Sequence, residues 1–265
     1  DPLTTADIAR YASNLWTAGT DATRVREWLT EDRGLDEHIL KSQRVGIRDK
    51  YDDGRLSWLL IPLKAEKVDG ERCITHYKEF PLDLNPDEGI CDWRRDDAGN
   101  KGMFTNGSIV LYPLANARDE DSPVVLCEGE LDCLSALQCG CNAITGTGGA
   151  TSFYHDWAKL IADLPGARHG VYLCLDGDEA GIEGKEKISE MLLAEGVTVY
   201  DTPMPAGKDV NDLVAESGED GIYDLLDAAT EVSEGYVFTV PEADPPEPGP
   251  SPDSANPSPE GEPSP

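Results

Sequence analysis

Basic residues are scarce in this chain. It contains 22 lysines and arginines against 52 aspartates and glutamates, which gives a formal net charge of −30. Because nucleic-acid phosphates are bound mainly by Lys and Arg, a surface that is basic throughout is excluded. Two explanations stay open for a nucleic-acid function. We favour a halophilic host, where molar salt shortens the screening length to about 3 Å, because the acidic excess is spread along the whole chain. Alternatively, the few basic residues could cluster on one face while metal ions bridge to the phosphates.

Paired cysteine motifs and long apolar runs are absent as well. None of the seven cysteines stands in a CxxC motif, so we do not expect a zinc finger. Their odd number, together with the lack of a signal peptide, predicts a reducing cytoplasm. No apolar run approaches the roughly 20 residues that a membrane helix requires, so we expect no association with a membrane.

Two short apolar runs that end at acidic residues are the most informative feature of the chain. Residues 124–132 read VVLCEGELD, and residues 171–181 read VYLCLDGDEAG. Each run has the length of a buried strand, and apolar residues with helical spacing follow it. Strands that alternate with helices form a parallel sheet with right-handed crossovers. The sequence therefore predicts an α/β fold.

The acidic residues that end these strands are candidate metal ligands. Ligands of open parallel sheets bind at the carboxyl ends of the strands, so we expect Glu128, Asp176 and Asp178 at one edge. Three carboxylates there would suit Mg²⁺ or Mn²⁺. Any one of them alone could instead cap a helix. Gly177 allows a sharp turn between the aspartates, so that both could face one ion.

Three motifs together resemble the Toprim domain. They are EGELD, DGDEAG, and KDVND at residues 208–212, and they are most similar to those of bacterial and phage primases and primase-helicases. The resemblance implies a Toprim-type parallel sheet flanked by helices and a metal-dependent nucleotidyltransferase. Glu128, Asp176 and Asp178 would hold divalent ions, Asp132 and Asp209 would be accessory acidic residues, and Glu128 would also be the candidate general base. The substrates would be NTPs and single-stranded DNA, the product a short RNA primer, and a replicative helicase a possible partner.

Three regions are predicted along the chain. Residues 1–118 form a smaller α+β subdomain, in which Asp69-Gly70 joins two strands as a hairpin. Residues 119–232 form the Toprim domain. Residues 233–265 are an acidic, Pro-rich tail with too little apolar surface to order, so we expect disorder there.

Cationic and glycine positions supply the candidate contacts to substrate and DNA. Each also has a purely structural interpretation, namely a solvated loop, a tight turn, a surface lysine or a neighbour of a helix cap. The candidates are Arg94, Arg95 and Lys101 in a polar stretch, Gly148 and Gly149 in a turn that opens a helix, Lys185 on the helix after DGDEAG, and Lys208 in KDVND.

One position departs from the family pattern. Asn106 stands where primases carry a lysine, which would shift the cationic role to Lys101 or Arg118. Two other functions therefore stay open beside primer synthesis. The chain could be a non-catalytic Toprim module that binds DNA or a partner, or a Toprim nuclease. A topoisomerase is not expected, because no further domains are present to carry a tyrosine and pass strands.

Overall fold

The first half of the chain combines short helices with an antiparallel sheet. The computed structural model describes residues 2–17, 19–48, 57–85, 90–93, 103–115 and 117–239. The sheet has the order β1-β4-β3-β2, and β5 and β6 also pair with β4. The elements are β1 (Leu3–Thr4), α1 (Thr5–Thr17), α2 (Gly19–Glu27), a π-helical turn (Trp28–Asp32), α3 (Glu37–Ser42), β2 (Gly46–Arg48), β3 (Ser57–Val68), β4 (Glu71–Asn85), β5 (Ile90–Trp93) and β6 (Phe104–Asn106).

The long hairpin β3–β4 forms where the sequence predicts it. Asp69 and Gly70 at its turn both have positive φ angles, 52° and 88°, as a two-residue type I′ turn requires. The polar stretch of residues 81–107, for which a solvated loop is one interpretation, contains β-strands in the structure. Strand β4 continues to Asn85, and β5 and β6 return to pair with it. Polar side chains on an outer strand leave its backbone free to pair, so composition alone does not exclude strands here.

The second half contains a mostly parallel sheet with helices on both faces, which confirms the predicted α/β class. Its order is β12-β11-β10-β8-β9-β7. The four central strands are parallel, whereas β7 and β12 are antiparallel edge strands. The elements are β7 (Leu111–Tyr112), β8 (Val124–Cys127), α4 (Glu130–Gln138), β9 (Asn142–Gly146), α5 (His155–Ala162), β10 (Val171–Cys174), α6 (Glu179–Ala194), β11 (Val199–Asp201), α7 (Val210–Ser217), α8 (Glu219–Asp227) and β12 (Thr230–Glu231).

Alternate residues of each central strand are buried against opposite helical layers. Val124 and Leu126 pack with α5 and α6, while Val125 and Cys127 pack with α4, α7 and α8, as the two-residue period of a strand dictates. A third cluster joins the two halves, because Leu134 of α4 packs among apolar residues of the antiparallel half. The antiparallel sheet is thereby held beside the start of α4.

The chain continues in contact with the parallel sheet beyond β12. Tyr236 donates a hydrogen bond from its hydroxyl to Oδ2 of Asp201 at 2.9 Å, and Phe238 is buried. Residues 233–239 therefore pack on the fold rather than starting the predicted tail, whose remaining residues 240–265 lie outside the described part. Among the described residues, no helix is long and apolar enough to cross a membrane.

Candidate active site

The ends of β8 and β10 place two of the predicted carboxylates side by side. These strands are parallel neighbours, and Cys127 is the register partner of Cys174. Glu128 follows the first strand by one residue and Asp176 follows the second by two. Oε2 of Glu128 accepts a hydrogen bond from the backbone N–H of Asp176 at 3.2 Å. Both carboxylates therefore lie at the carboxyl edge of the sheet.

The DGD loop is locked to the KDVND segment through its glycine. The N–H of Gly177 donates to the carbonyl oxygen of Lys208 at 2.9 Å, and its own carbonyl accepts from the N–H of Gly207 at 2.8 Å. A Cβ on Gly177 would lie 2.0 Å from the carbonyl oxygen of Pro205, so only glycine allows this approach. Asp178 caps α6, because its Oδ1 accepts from the N–H of Gly181 at 2.8 Å. For this aspartate the capping interpretation is confirmed.

The accessory acids lie on the same edge and are held by backbone N–H groups. Asp132 accepts from the N–H of Gly129 at 3.1 Å and from the N–H of Asn211 at 3.0 Å. Asp209 caps α7, accepting from the N–H of Asp212 at 2.7 Å. The KDVND helix is thus joined directly to the EGELD helix.

Asn211 is a buried residue of this edge that the sequence analysis missed. Its side-chain nitrogen donates to the carbonyl oxygen of Arg33 at 2.6 Å and to Oγ of Ser135 at 2.8 Å. It therefore joins α7 to α4 and to the antiparallel half. Its place between the two acids of KDVND is the only signal in the sequence that could have identified it.

Burial, with repulsion between neighbouring carboxylates added to it, raises the pKa values of three carboxyls at this edge. Burial raises the pKa of Asp176 to about 8, and the charges of Glu128, Asp132, Asp209 and Asp178 add to the rise. Burial, followed by the charge of Asp209, raises the pKa of Asp132 to about 7. Burial also raises the pKa of Glu128, partly offset by the N–H of Asp176. Strongly shifted carboxyls in one cluster are typical of functional sites.

The carboxylate cluster, defined here as Glu128, Asp132, Asp176, Asp178 and Asp209, fits a divalent cation by its chemistry. It offers hard oxygen ligands, and a bound +2 charge would offset the repulsion among the carboxylates. The side chains are not gathered around one point, since no three His, Cys, Asp or Glu side chains in the described ranges are arranged as ligands of one metal ion.

An ion pair beside the cluster was also missed from the sequence. Nζ of Lys78 on β4 lies 2.6 Å from Oε1 of Glu130 on α4, and their side chains are only 6% and 7% exposed. No spacing in the sequence relates residues so far apart. The pair brings a buried cation of the antiparallel half against Glu130, which lies between Glu128 and Asp132 in the sequence.

Lys185 does not have the role predicted from the sequence. Its ammonium donates to Oδ1 of Asp201 at 2.7 Å and to the carbonyl oxygen of Thr202 at 2.6 Å, and the residue is 2% exposed. A buried ammonium that is bonded to Asp201 and Thr202 does not reach DNA at the surface, so this prediction is wrong. Lys208 does lie next to Asp209, where its ammonium pairs with Glu216 across α7.

The glycine turn is built differently from the prediction. Gly148 and Gly149 lead into a three-residue 3₁₀ turn, and α5 starts only at His155. The turn packs on α6, because a Cβ on Gly184 would lie 2.4 Å from Cβ of Ala150. These contacts favour the structural interpretation, and phosphate binding by the turn stays a prediction.

The remaining cationic candidates lie largely outside what the structure describes. Arg94, Arg95 and Lys101 fall outside the described residues. Asn106 donates from its side-chain nitrogen to the carbonyl oxygen of Thr75 at 2.8 Å, which joins β6 to β4, and Arg118 is exposed.

The part of the chain that carries the carboxylate cluster is similar in sequence to known proteins. A Toprim-like family model matches residues 125–214, which include all five acids of the carboxylate cluster. The chain is 33% identical to a DNA primase of Listeria monocytogenes over 216 residues, which cover 71% of this chain and 34% of that protein. It is 31% identical to the gene 57 protein of Mycobacterium phage D29 over 134 residues, covering 50% of this chain and 82% of that protein. This chain is a primase-like member of the Toprim family.

The fold of this Toprim protein is also found in solved primase structures. The RNA polymerase domain of the Mycobacterium tuberculosis primase, in complex with a double-stranded DNA oligomer with a 6-nucleotide overhang, superposes with a TM-score of 0.61. The identity is 19%, and the match covers 86% of this chain and 79% of that one. The chain spans 24–35% of the length of the curated primases matched most strongly. The matched proteins do not bear on a halophilic host, which stays a prediction.

Proposed function

We propose that this chain is the polymerase core of a DNA primase, a nucleotidyltransferase that makes short RNA primers from NTPs on single-stranded DNA. The observation that supports it most is the carboxylate cluster at the carboxyl edge of a Toprim sheet, in which Glu128, Asp132 and Asp176 have raised pKa values. The primase relatives and the DNA-bound primase fold agree with this function. A replicative helicase is the proposed partner.

Each residue of the cluster has a proposed task. Glu128, Asp176 and Asp178 would hold Mg²⁺ or Mn²⁺, with Asp132 and Asp209 as accessory acids. The bound ions would polarise the α-phosphate and stabilise the charge of the transferring group. Glu128 would accept the proton of the attacking 3′-hydroxyl at a carboxylate oxygen.

The two predicted regions have different proposed tasks. We propose that residues 1–118 present template and nucleotide, and that residues 119–232 carry the chemistry. The buried ion pair of Lys78 and Glu130 and the bonds of Asn211 support a rigid connection between the two.

A primer-synthesis assay tests the proposal. Purified chain is incubated with NTPs, single-stranded DNA, and Mg²⁺ or Mn²⁺ at several salt concentrations. Asp176→Asn should lower synthesis by about 100-fold or more, since even indirect changes at metal sites cost about 10–100-fold. Asp163→Asn is the matched control, because that exposed aspartate lies at the end of α5, away from the cluster, and it should keep full synthesis.

The same assay separates the other functions. Degradation of the template without NTPs, lost in Asp176→Asn, would identify a nuclease. DNA binding without synthesis or degradation would identify a non-catalytic module, which the lack of a three-ligand arrangement among the described residues favours. Either result would refute the primase proposal.

A further inference from the structure

A recess apart from the carboxylate cluster has positively charged residues in its lining. It has a volume of about 420 Å³ and lies between the β3–β4 hairpin, the end of α3 and the segment after β7. Among the residues that the structure describes, the charged residues of its lining are Arg44, Lys64 and Arg72, and none is acidic. We call it the basic cavity.

The charge of the basic cavity is opposite in sign to the net charge of the chain. Acidic residues outnumber basic ones by 52 to 22, so a lining with cations alone is not what composition predicts. Lys64 is partly neutralised by Glu66, whose Oε1 lies 2.9 Å from its ammonium. Within the described ranges, neither Arg44 nor Arg72 has a carboxylate within ion-pair distance. These two exposed guanidinium groups are therefore available to an anion.

The cavity is separate from the carboxylate cluster along the same strand. Ile74 of β4 lines it, whereas Lys78 of β4 pairs with Glu130. Four residues of extended strand separate them, or about 13 Å at roughly 3.3 Å per residue. A ligand of the cavity is therefore not the group that would react at the cluster.

The lining favours a phosphate backbone over a whole nucleotide. Guanidinium groups match phosphate oxygens in geometry and charge. A nucleoside would also need an aromatic face on which its base could stack. The one aromatic residue of the lining, Tyr112, is 2% exposed and donates its hydroxyl to Oε1 of Gln43 at 3.3 Å, so it offers no such face.

We propose that the basic cavity binds backbone phosphates of single-stranded DNA outside the carboxylate cluster, with Arg44 and Arg72 as the contacts. The proposal rests on the proposed function for the identity of the polymer. It also explains how a strongly acidic chain could bind a polyanion such as DNA, because the binding would take place at one local basic site.

Salt dependence of binding tests this without any catalysis. Fluorescence anisotropy is measured with a labelled oligothymidylate of about 12 nucleotides, within the size range of single-strand sites. EDTA is present, and salt is varied. Each phosphate contact contributes about 0.7 to the slope of log K against log salt for single strands. Arg44→Gln and Arg72→Gln should each reduce that slope by about 0.7, and the double variant by about 1.4. Lys159→Gln, an exposed lysine on α5, should leave it unchanged.

Three outcomes would overturn the proposal. The first is an arginine variant with the slope of the parent chain, and the second is an equal reduction in Lys159→Gln. The third is equal affinity for a trinucleotide and the longer oligomer, which would mean that the cavity takes an isolated phosphate. Because the assay contains no metal or NTPs, a chain that binds DNA in this way but makes no primers would refute only the proposed function.

Discussion

Replacing Lys78 with methionine should destabilise the protein strongly. The ammonium of Lys78 lies 2.6 Å from Oε1 of Glu130, and both side chains are more than 90% buried. Methionine keeps most of the apolar stem but removes the charge. Glu130 would then lose its ammonium partner in a buried position. Breaking a buried pair in this way typically costs about 3–5 kcal/mol.

An exposed ion pair on the same sheet provides the matched control. Lys64 lies 2.9 Å from Glu66, and these side chains are 49% and 44% exposed. Exposed pairs contribute about 0–1 kcal/mol, so Lys64→Met should have a small effect. For a chain of this size, 1 kcal/mol corresponds to roughly 2–4 °C in Tm. We therefore expect Tm to fall by about 6–20 °C in Lys78→Met and by no more than about 4 °C in Lys64→Met.

Urea unfolding and calorimetry at pH 7 measure the difference. The double variant Lys78→Met/Glu130→Gln removes both charges and should recover most of the lost stability, since the cost comes from a buried carboxylate that has lost its ammonium. A loss in Lys78→Met no larger than that in Lys64→Met would refute the reasoning, as would a double variant less stable than the single one.

Two further predictions concern buried charges. In EDTA, Tm should fall as pH rises from 6 to 8.5, because Asp132 and Asp176 have pKa values of about 7 and about 8 in the fold against 3.8 when unfolded. A carboxyl whose pKa is higher in the folded chain than in the unfolded chain stabilises the fold while it is protonated. This stabilisation is complete below the pKa of the unfolded chain and is lost as the pH rises through the pKa of the folded chain. Asp176→Asn should flatten that fall, and an unchanged pH profile in this variant would contradict the assignment. Lys185→Met should cost about 3–5 kcal/mol by leaving the buried carboxylate of Asp201 without its ammonium partner, while the salt slope of DNA binding stays that of the parent chain. A smaller slope of log K against log salt in this variant would show that Lys185 contacts DNA.

Local sequence patterns were sufficient to predict the parallel sheet and the Toprim family. The runs before Glu128 and Asp176 are short, apolar and followed by helical spacing, which is the signature of a βα unit. Asp69-Gly70 identified its hairpin because only a few residue pairs accept positive φ at both turn positions. The strands of residues 81–107 were missed because their pairing depends on β4, a partner that their own polar composition does not reveal.

Roles that depend on a neighbour in space were not predictable in the same way. Lys185 looks like any surface lysine on an amphipathic helix until β11 brings Asp201 to its ammonium. Lys78 and Asn211 carry no motif of their own, yet both join the antiparallel half to the EGELD helix.

The sequence by itself determined the parallel sheet, the turn at Gly177 and the edge on which the acids lie, because strand period and chain direction are local properties. Only the tertiary structure decided which charges are buried and which are left for solvent. Burial sets the pKa of a carboxyl and the availability of a lysine, and it depends on packing between segments that are far apart in the chain.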